Sequence, residues 1–155
     1  MSEQTTILDL KQTTGRVLGV DFGDTRTGLA VSDKSRFLAS GIGYVSPGGI
    51  EKTADKVAEV AREQGVGAIV VGLPKNMDGS EGFRADRCRE FAELLRVRLS
   101  GIPVAMMDER MTTMAASRYL NETNTRGSKR KQIIDTLSAQ IILQNALDRL
   151  KNLSV

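Results

Sequence analysis

No histidine occurs anywhere in the 155 residues. That excludes a Ser-His-Asp triad, a Cys-His pair and imidazole-bound zinc. Cysteine occurs once, as Cys88, which excludes an internal disulfide and a thiolate zinc cluster. Tryptophan is absent and aromatic residues make up 4% of the chain, so the core must be aliphatic. The same scarcity argues against a surface that holds single strands by stacking bases on exposed rings. No apolar run approaches the ~20 residues that span a membrane. Met1–Gly15 is polar and lacks the apolar centre of a signal peptide, which points to a cytoplasmic protein with a short mobile tail over 1–15 and one domain over 16–151. Any catalysis must rest on carboxylates, Lys, Tyr, Ser or Thr, or a bound hard cation.

What is present is a globular composition, 40% hydrophobic and 26% charged, with a formal charge of +3. The mildly basic balance permits a nucleic-acid partner without demanding one. Arg16–Phe22 reads as a buried strand, Gly28–Ser32 as a second and Phe37–Val45 as a third, joined by turns at 23–27 and 33–35. Connections that short join only antiparallel neighbours, so the chain opens with a three-stranded meander. The period then becomes helical. Ala54, Val57, Ala58 and Ala61 make one stripe, and Cys88, Phe91, Ala92, Leu95 and Leu99 make another within a helix of about 81–99. Between and after them, Ala68–Gly72 and Val104–Met107 are short continuous apolar runs, the mark of strands covered on both faces. A short helix from Thr112 or Thr113 to Leu120, a polar loop over 121–127 and a last helix over about 131–151 complete the order βββαβαβαα. That order gives a mixed five-stranded α/β sheet with helices on its faces.

Three acids stand in places that need a reason. Asp21 ends an apolar strand, where burial without a cation or several hydrogen bonds is costly; the alternative is an Asx-type turn opener. Asp108-Glu109-Arg110 follows directly on a parallel strand, where ligands bind in such sheets; the alternative is a solvated loop in which Arg110 neutralises one acid. Asp135 heads a helical stripe continued by Ser138, Ala139, Ile142 and Ala146, so it either pairs with a base, favours the helix dipole or coordinates a metal. Carboxylates gathered in one place repel unless a divalent cation neutralises them, and one or two Mg²⁺ or Mn²⁺ ions on oxygen ligands could then serve phosphodiester cleavage. Arg126, Lys129, Arg130 and Lys131 cluster just before Asp135 and would hold phosphates without reading sequence, whereas Arg84, Arg87, Arg89, Arg96 and Arg98 read as the wet face of their helix.

Four blocks in order resemble the YqgF/RuvX-like family, described as Holliday junction resolvases or as nucleases that mature precursor 16S ribosomal RNA. They are Gly19-Val-Asp-Phe-Gly23 with Gly28–Val31, Val70–Gly79, Asp108-Glu-Arg110 with Thr113, and Ile134–Ala139 with Ile142–Gln144. The resemblance covers about Arg16 to Leu150. It implies an RNase H-like fold with strand order 3-2-1-4-5 and helices on both faces, and it places the family's acidic trio on Asp21, Glu109 and Asp135. It also implies that the Gly72–Gly79 loop lines the same site, with Asn76 and Lys75 toward substrate beside Arg110, Lys129 and Lys131. The expected activity is metal-dependent cleavage of structured nucleic acid, in maturation of the precursor 16S rRNA 5′ end or as a Holliday junction resolvase on DNA. Two readings from other classes stay open. One is a non-catalytic ribosome- or nucleic-acid-binding protein. The other is an ATP-binding actin-like module, because Asp21–Gly28 looks like that group's phosphate-binding hairpin. The expected assembly is a monomer or weak homodimer with no membrane partner.

Overall fold

The computed structural model describes residues 6–23, 25–46, 48–76, 78–108 and 127–152, by backbone alone over 127–135 and at 152. Strands β1 (Val17–Asp21), β2 (Thr27–Ser32) and β3 (Ala39–Val45) form the antiparallel meander, followed by α1 (Ile50–Gln64), β4 (Ala68–Leu73), α2 (Phe83–Arg98), β5 (Val104–Asp108) and α3 (Gly127–Asn152). The strands lie in the order β3-β2-β1-β4-β5, with β4 parallel to both β1 and β5. This is the order that the family resemblance implies. The helix expected over 113–120 falls outside the described residues, and α3 begins at Gly127, four residues before the start expected from its pattern.

Alternation along each strand divides the side chains between two layers. Leu18, Val20, Phe22, Ile69 and Val71 pack against the stripes of α1 and α2, with Phe22 and Phe91 stacked at a ring-centroid distance of 4.5 Å. Both helical stripes are buried as their spacing predicts. On the other face Val17, Ala30, Val70 and Ala105 pack against Ala139, Ile142, Leu143 and Ala146 of α3. The sheet is therefore covered on both sides, and its central strands are buried along nearly their whole length.

Two features depart from the sequence reading. Residues 7–12 are folded onto the sheet as a 3₁₀ turn in which Leu10 is fully buried against the α3 layer, so the loose tail expected over 1–15 does not describe this stretch. Polar spacing hid it because only Ile7 and Leu10 face inward. Arg36 secures the segment: its guanidinium donates to the Leu10 and Gly15 carbonyls and to Thr13 Oγ1, at 3.0, 2.7 and 2.8 Å. Burial there lowers the Arg36 pKa, and its backbone sits at φ 63° in the left-handed region. The second departure is on α2, where Arg96 and Arg98, two of the five arginines expected on its wet face, are structural ties, while Arg84 is exposed as expected. Arg96 donates to the Val104 carbonyl at 2.8 Å and pairs with Glu93, and Arg98 bridges to Asp55 and Glu51 on α1.

Candidate functional site

The parallel arrangement of β1, β4 and β5 brings their carboxyl ends to one edge. Leu73 pairs with Asp108 and Gly72 with Met107, and the β1–β4 register puts Asp21 one residue beyond the Val20–Val71 pair. Asp21 is half-buried at that edge and shares its strand face with Val17 and Gly19, the face that α3 covers. The hairpin that follows is tight. A Cβ on Gly23 would lie 2.5 Å from the Arg26 carbonyl oxygen, so only glycine fits, and Thr27 Oγ1 spans the turn to Gly23.

Gly19 fixes the height of α3 above this edge. A Cβ there would lie 2.6 Å from Leu143 Cβ and 3.1 Å from the Ala139 carbonyl oxygen, so helix and strand meet at a distance that no side chain on β1 allows. On β3 the same holds for Gly41 beneath Thr136. The far end of α3 contributes Leu147 and Leu150 to a cleft of about 360 Å³ with Lys11, Thr13, Ser35, Arg36 and Phe37, at the end of the sheet where β1 begins. The helix therefore runs with its first turns toward Asp21. Position 135 lies on α3 before the contact that Ala139 and Leu143 make with Gly19, in the direction in which β1 runs on to Asp21. Lys129 and Lys131 stand on the first turns of α3; their side chains, like that of Asp135, lie outside the description.

Glu109 and Arg110 also lie outside the described residues, as do Thr113 and Arg126. Met107, two residues before Glu109, packs against the layer beneath α3. Among the described residues no group of three or more His, Cys, Asp or Glu could hold a metal, because Asp21 is the one member of the expected trio whose side chain is described. The residues expected at the site are nevertheless all oxygen donors, which suits a hard divalent cation. Ser138, one turn after Asp135, is 1% exposed and its Oγ has no hydrogen-bond partner. The sequence places Ser138 only as a member of the stripe that Asp135 heads, which is buried as that stripe predicts.

The loop after β4 reaches the same edge, but it is largely occupied with itself. Asn76 donates its backbone N–H to the Ser80 carbonyl at 2.8 Å and its side-chain amide to Ser80 Oγ at 2.9 Å, while Ser80 donates to Asp78. Lys75 Nζ stands 3.9 Å from Glu81, which also receives both prongs of Arg89 at 2.8 and 2.9 Å. The hydrogen-bonded Arg89 holds Glu81 below the usual carboxylate range. Asn76 therefore acts as a turn former and Lys75 as half of an ion pair, each exposed enough to reach a ligand as well. No helix among the described residues is long and apolar enough to cross a membrane.

A family profile described as "RuvX: Holliday junction resolvase" matches residues 15–149. A protein of Pelotomaculum thermopropionicum named "Putative pre-16S rRNA nuclease" is 43% identical over 134 residues, 86% of each chain. One of the same name from Clostridium novyi is 44% identical over 133 residues, 86% of this chain and 98% of that one. Among solved structures, RuvC of T. thermophilus in complex with a Holliday junction substrate superposes with a TM-score of 0.56 at 16% identity, covering 88% of this chain and 96% of that one. The fowlpox virus Holliday junction resolvase gives 0.53 at 11% identity, covering 87% and 99%. These distant likenesses confirm the fold, while the profile spans nearly the whole chain, from the start of β1 through the glycine-fixed β1–α3 contact, so the protein belongs to the RuvX Holliday junction resolvase family.

Proposed function

We propose that this chain is a divalent-metal-dependent nuclease that hydrolyses phosphodiester bonds in structured RNA, in maturation of the 5′ end of precursor 16S rRNA. The observation that supports the reading is the family match over residues 15–149, with Asp21 at the carboxyl end of β1 and α3 running back from its contact with Gly19 toward that end. The name shared by relatives at 43–44% identity supports an RNA substrate. Cleavage of branched DNA is the second reading, favoured by the description of the family profile.

In this reading Asp21, Glu109 and Asp135 hold one or two Mg²⁺ or Mn²⁺ ions. A cation so held supplies an activated water and stabilises the leaving oxygen. The chain's own part is to fix Asp21 on a buried strand and Asp135 on a helix whose height glycine sets, so that the carboxylates keep their separation as substrate arrives. Lys129 and Lys131, on the first turns of α3, hold the sugar-phosphate backbone, with Arg110, Lys75 and Asn76 at the adjoining loops. Such contacts position substrate without reading its sequence.

The test is a labelled panel of a four-way DNA junction, a single-stranded RNA and a precursor 16S 5′ fragment, each incubated with Mg²⁺ or Mn²⁺. Metal-dependent cutting of the rRNA fragment is expected. Cutting of the junction alone would move the assignment to DNA, and no cutting by a folded chain that binds nucleic acid would leave a binding protein. In the same assay Lys129→Glu with Lys131→Glu is expected to weaken RNA binding and to lower the slope of log K against log salt by roughly 1.5. An unchanged slope would remove these lysines from the phosphate path.

A further inference from the structure

Strand β3 carries one residue more than its partner needs. Ala30 of β2 pairs with Gly41, but Leu29 pairs with Gly43, so Ile42 is the extra residue of a β-bulge. Side chains alternate along a strand, and one inserted residue moves every later side chain to the other face. Ala39 and Gly41 face α3. Unbroken alternation would carry that face on to Gly43 and send Tyr44 to the opposite one. The bulge reverses this. Tyr44 takes the α3 face, and Val45 after it packs into the α1–α2 layer. Gly43 takes up the distortion at φ 114°, a conformation that side chains disfavour.

The new register brings Tyr44 into line with the acid at the carboxyl edge. Asp21 pairs with Gly28 and Gly28 with Tyr44, so the three share one cross-strand row and one face. Two strand spacings, about 10 Å, separate Asp21 from Tyr44, and the strand between them contributes no side chain to the row. Tyr44 is 36% exposed. The Arg26 guanidinium, from the turn between β1 and β2, stands 5.9 Å from the centre of its ring, at cation–π distance.

Bulges are concentrated beside functional sites, where they re-aim a side chain. An exposed ring with a guanidinium on it suits one ligand above others, an unpaired base of RNA, which can be splayed from its strand and stacked on both kinds of group. Scarce aromatics exclude a continuous stacking surface but not a single ring. We infer that Tyr44, braced by Arg26, is a subsite that stacks the unpaired base of a nucleotide neighbouring the one cleaved at the carboxyl edge. This rests on the nuclease reading given above and deepens it, because it requires the substrate to be single-stranded on the β3 side of the cut.

The chain has no tryptophan, so Tyr44→Trp introduces a lone indole as reporter. Binding is measured in a chelator, where no metal-dependent cutting occurs, with a short single-stranded RNA and with the same sugar-phosphate chain lacking its bases. The RNA is expected to quench the indole and the base-free chain to leave it unchanged. Tyr44→Leu keeps apolar bulk without a ring; it should weaken RNA binding roughly 10-fold with melting temperature and salt slope unchanged. Tyr44→Phe should bind as the parent does. Parental affinity in Tyr44→Leu overturns the inference. An equal loss on the base-free chain overturns it too, as does a loss with a clearly lower melting temperature, since Tyr44 would then act through the backbone of the ligand or through packing. Equal quenching by free AMP would make this a mononucleotide pocket and also overturns it. Cutting of the substrate panel tests the nuclease reading apart from this: cutting without base-dependent quenching removes only the stacking subsite, and quenching without cutting removes only the nuclease.

Discussion

Asp21→Asn will reduce metal-dependent cleavage about 1,000-fold or more, and Asp135→Asn will do the same, while neither lowers the melting temperature of the metal-free chain. The rate effect follows from what a carboxylate at such a site supplies. The electrostatic stabilisation of a developing charge by a bound cation is worth several kcal/mol, and about 4 kcal/mol corresponds to roughly 10³ in rate. Asparagine keeps the shape of the side chain and one acceptor oxygen, so the fold loses little. In the proposed site the acids would repel one another without a cation, and removing one would relieve that repulsion. Single-turnover cleavage at saturating Mg²⁺ measures the first part and thermal unfolding in a chelator the second. A fall of several degrees with activity retained would identify Asp21 as a structural turn opener, which is the alternative its sequence position allows.

Gly19→Val carries the second large effect, and it acts on fold and site together. The first atom of any side chain here meets Leu143 Cβ at 2.6 Å and the Ala139 carbonyl at 3.1 Å. The neighbours are a packed side chain and helix backbone, neither of which can swing away. Overpacking of this kind costs about 3 kcal/mol, with the branched Val at the upper end. For a chain of this size the melting temperature should drop by roughly 6–12 °C. The α3 helix must ride up from β1, which moves position 135 away from Asp21. Displacing a reacting arrangement by about 1 Å is enough to cost roughly 100-fold in rate. Activity measured well below the melting temperature should therefore fall in protein that is still folded. Pairing the milder Gly19→Ala with Leu143→Ala should recover none of the stability, because alanine keeps the Cβ met at 2.6 Å and truncating the buried leucine adds the cost of a cavity. Gly19→Val with parental stability would show that α3 does not rest on β1 here.

The meander and the two helical stripes were legible because each is a local pattern. Alternation from Val17 to Phe22 sorted the strand's faces correctly, and the spacing of Ala54, Val57, Ala58 and Ala61 named the buried side of α1. What escaped the sequence depends on partners far along the chain. Leu10 is buried only because Arg36, 26 residues later, gathers the carbonyls around it. Arg96 and Arg98 look like solvated charges until α1 and the start of β5 are brought beside them. Aromatic scarcity suggested few exposed rings, yet Phe37 and Phe83 are 59% and 72% exposed while Phe22 and Phe91 take the core places. Among the acids, the strand end named Asp21 and the helical stripe named the place of Asp135. The glycine that sets how closely α3 approaches β1 carries no chemistry of its own, and the pattern of the strand gave no hint of its role.

That glycine contact has a dynamic consequence. Loops that carry functional groups can open locally while the rest of a protein stays folded, and their amides then exchange with solvent long before the core does. The segment of α3 that follows Asp135 is itself core, with Ala139, Ile142 and Leu143 sealed against the central strands. Its amides can exchange only when the sheet loses its cover. Position 135 precedes that slowly exchanging stretch on the same helix, so in the proposed site the helix would hold its acid against the sheet for as long as the molecule remains folded.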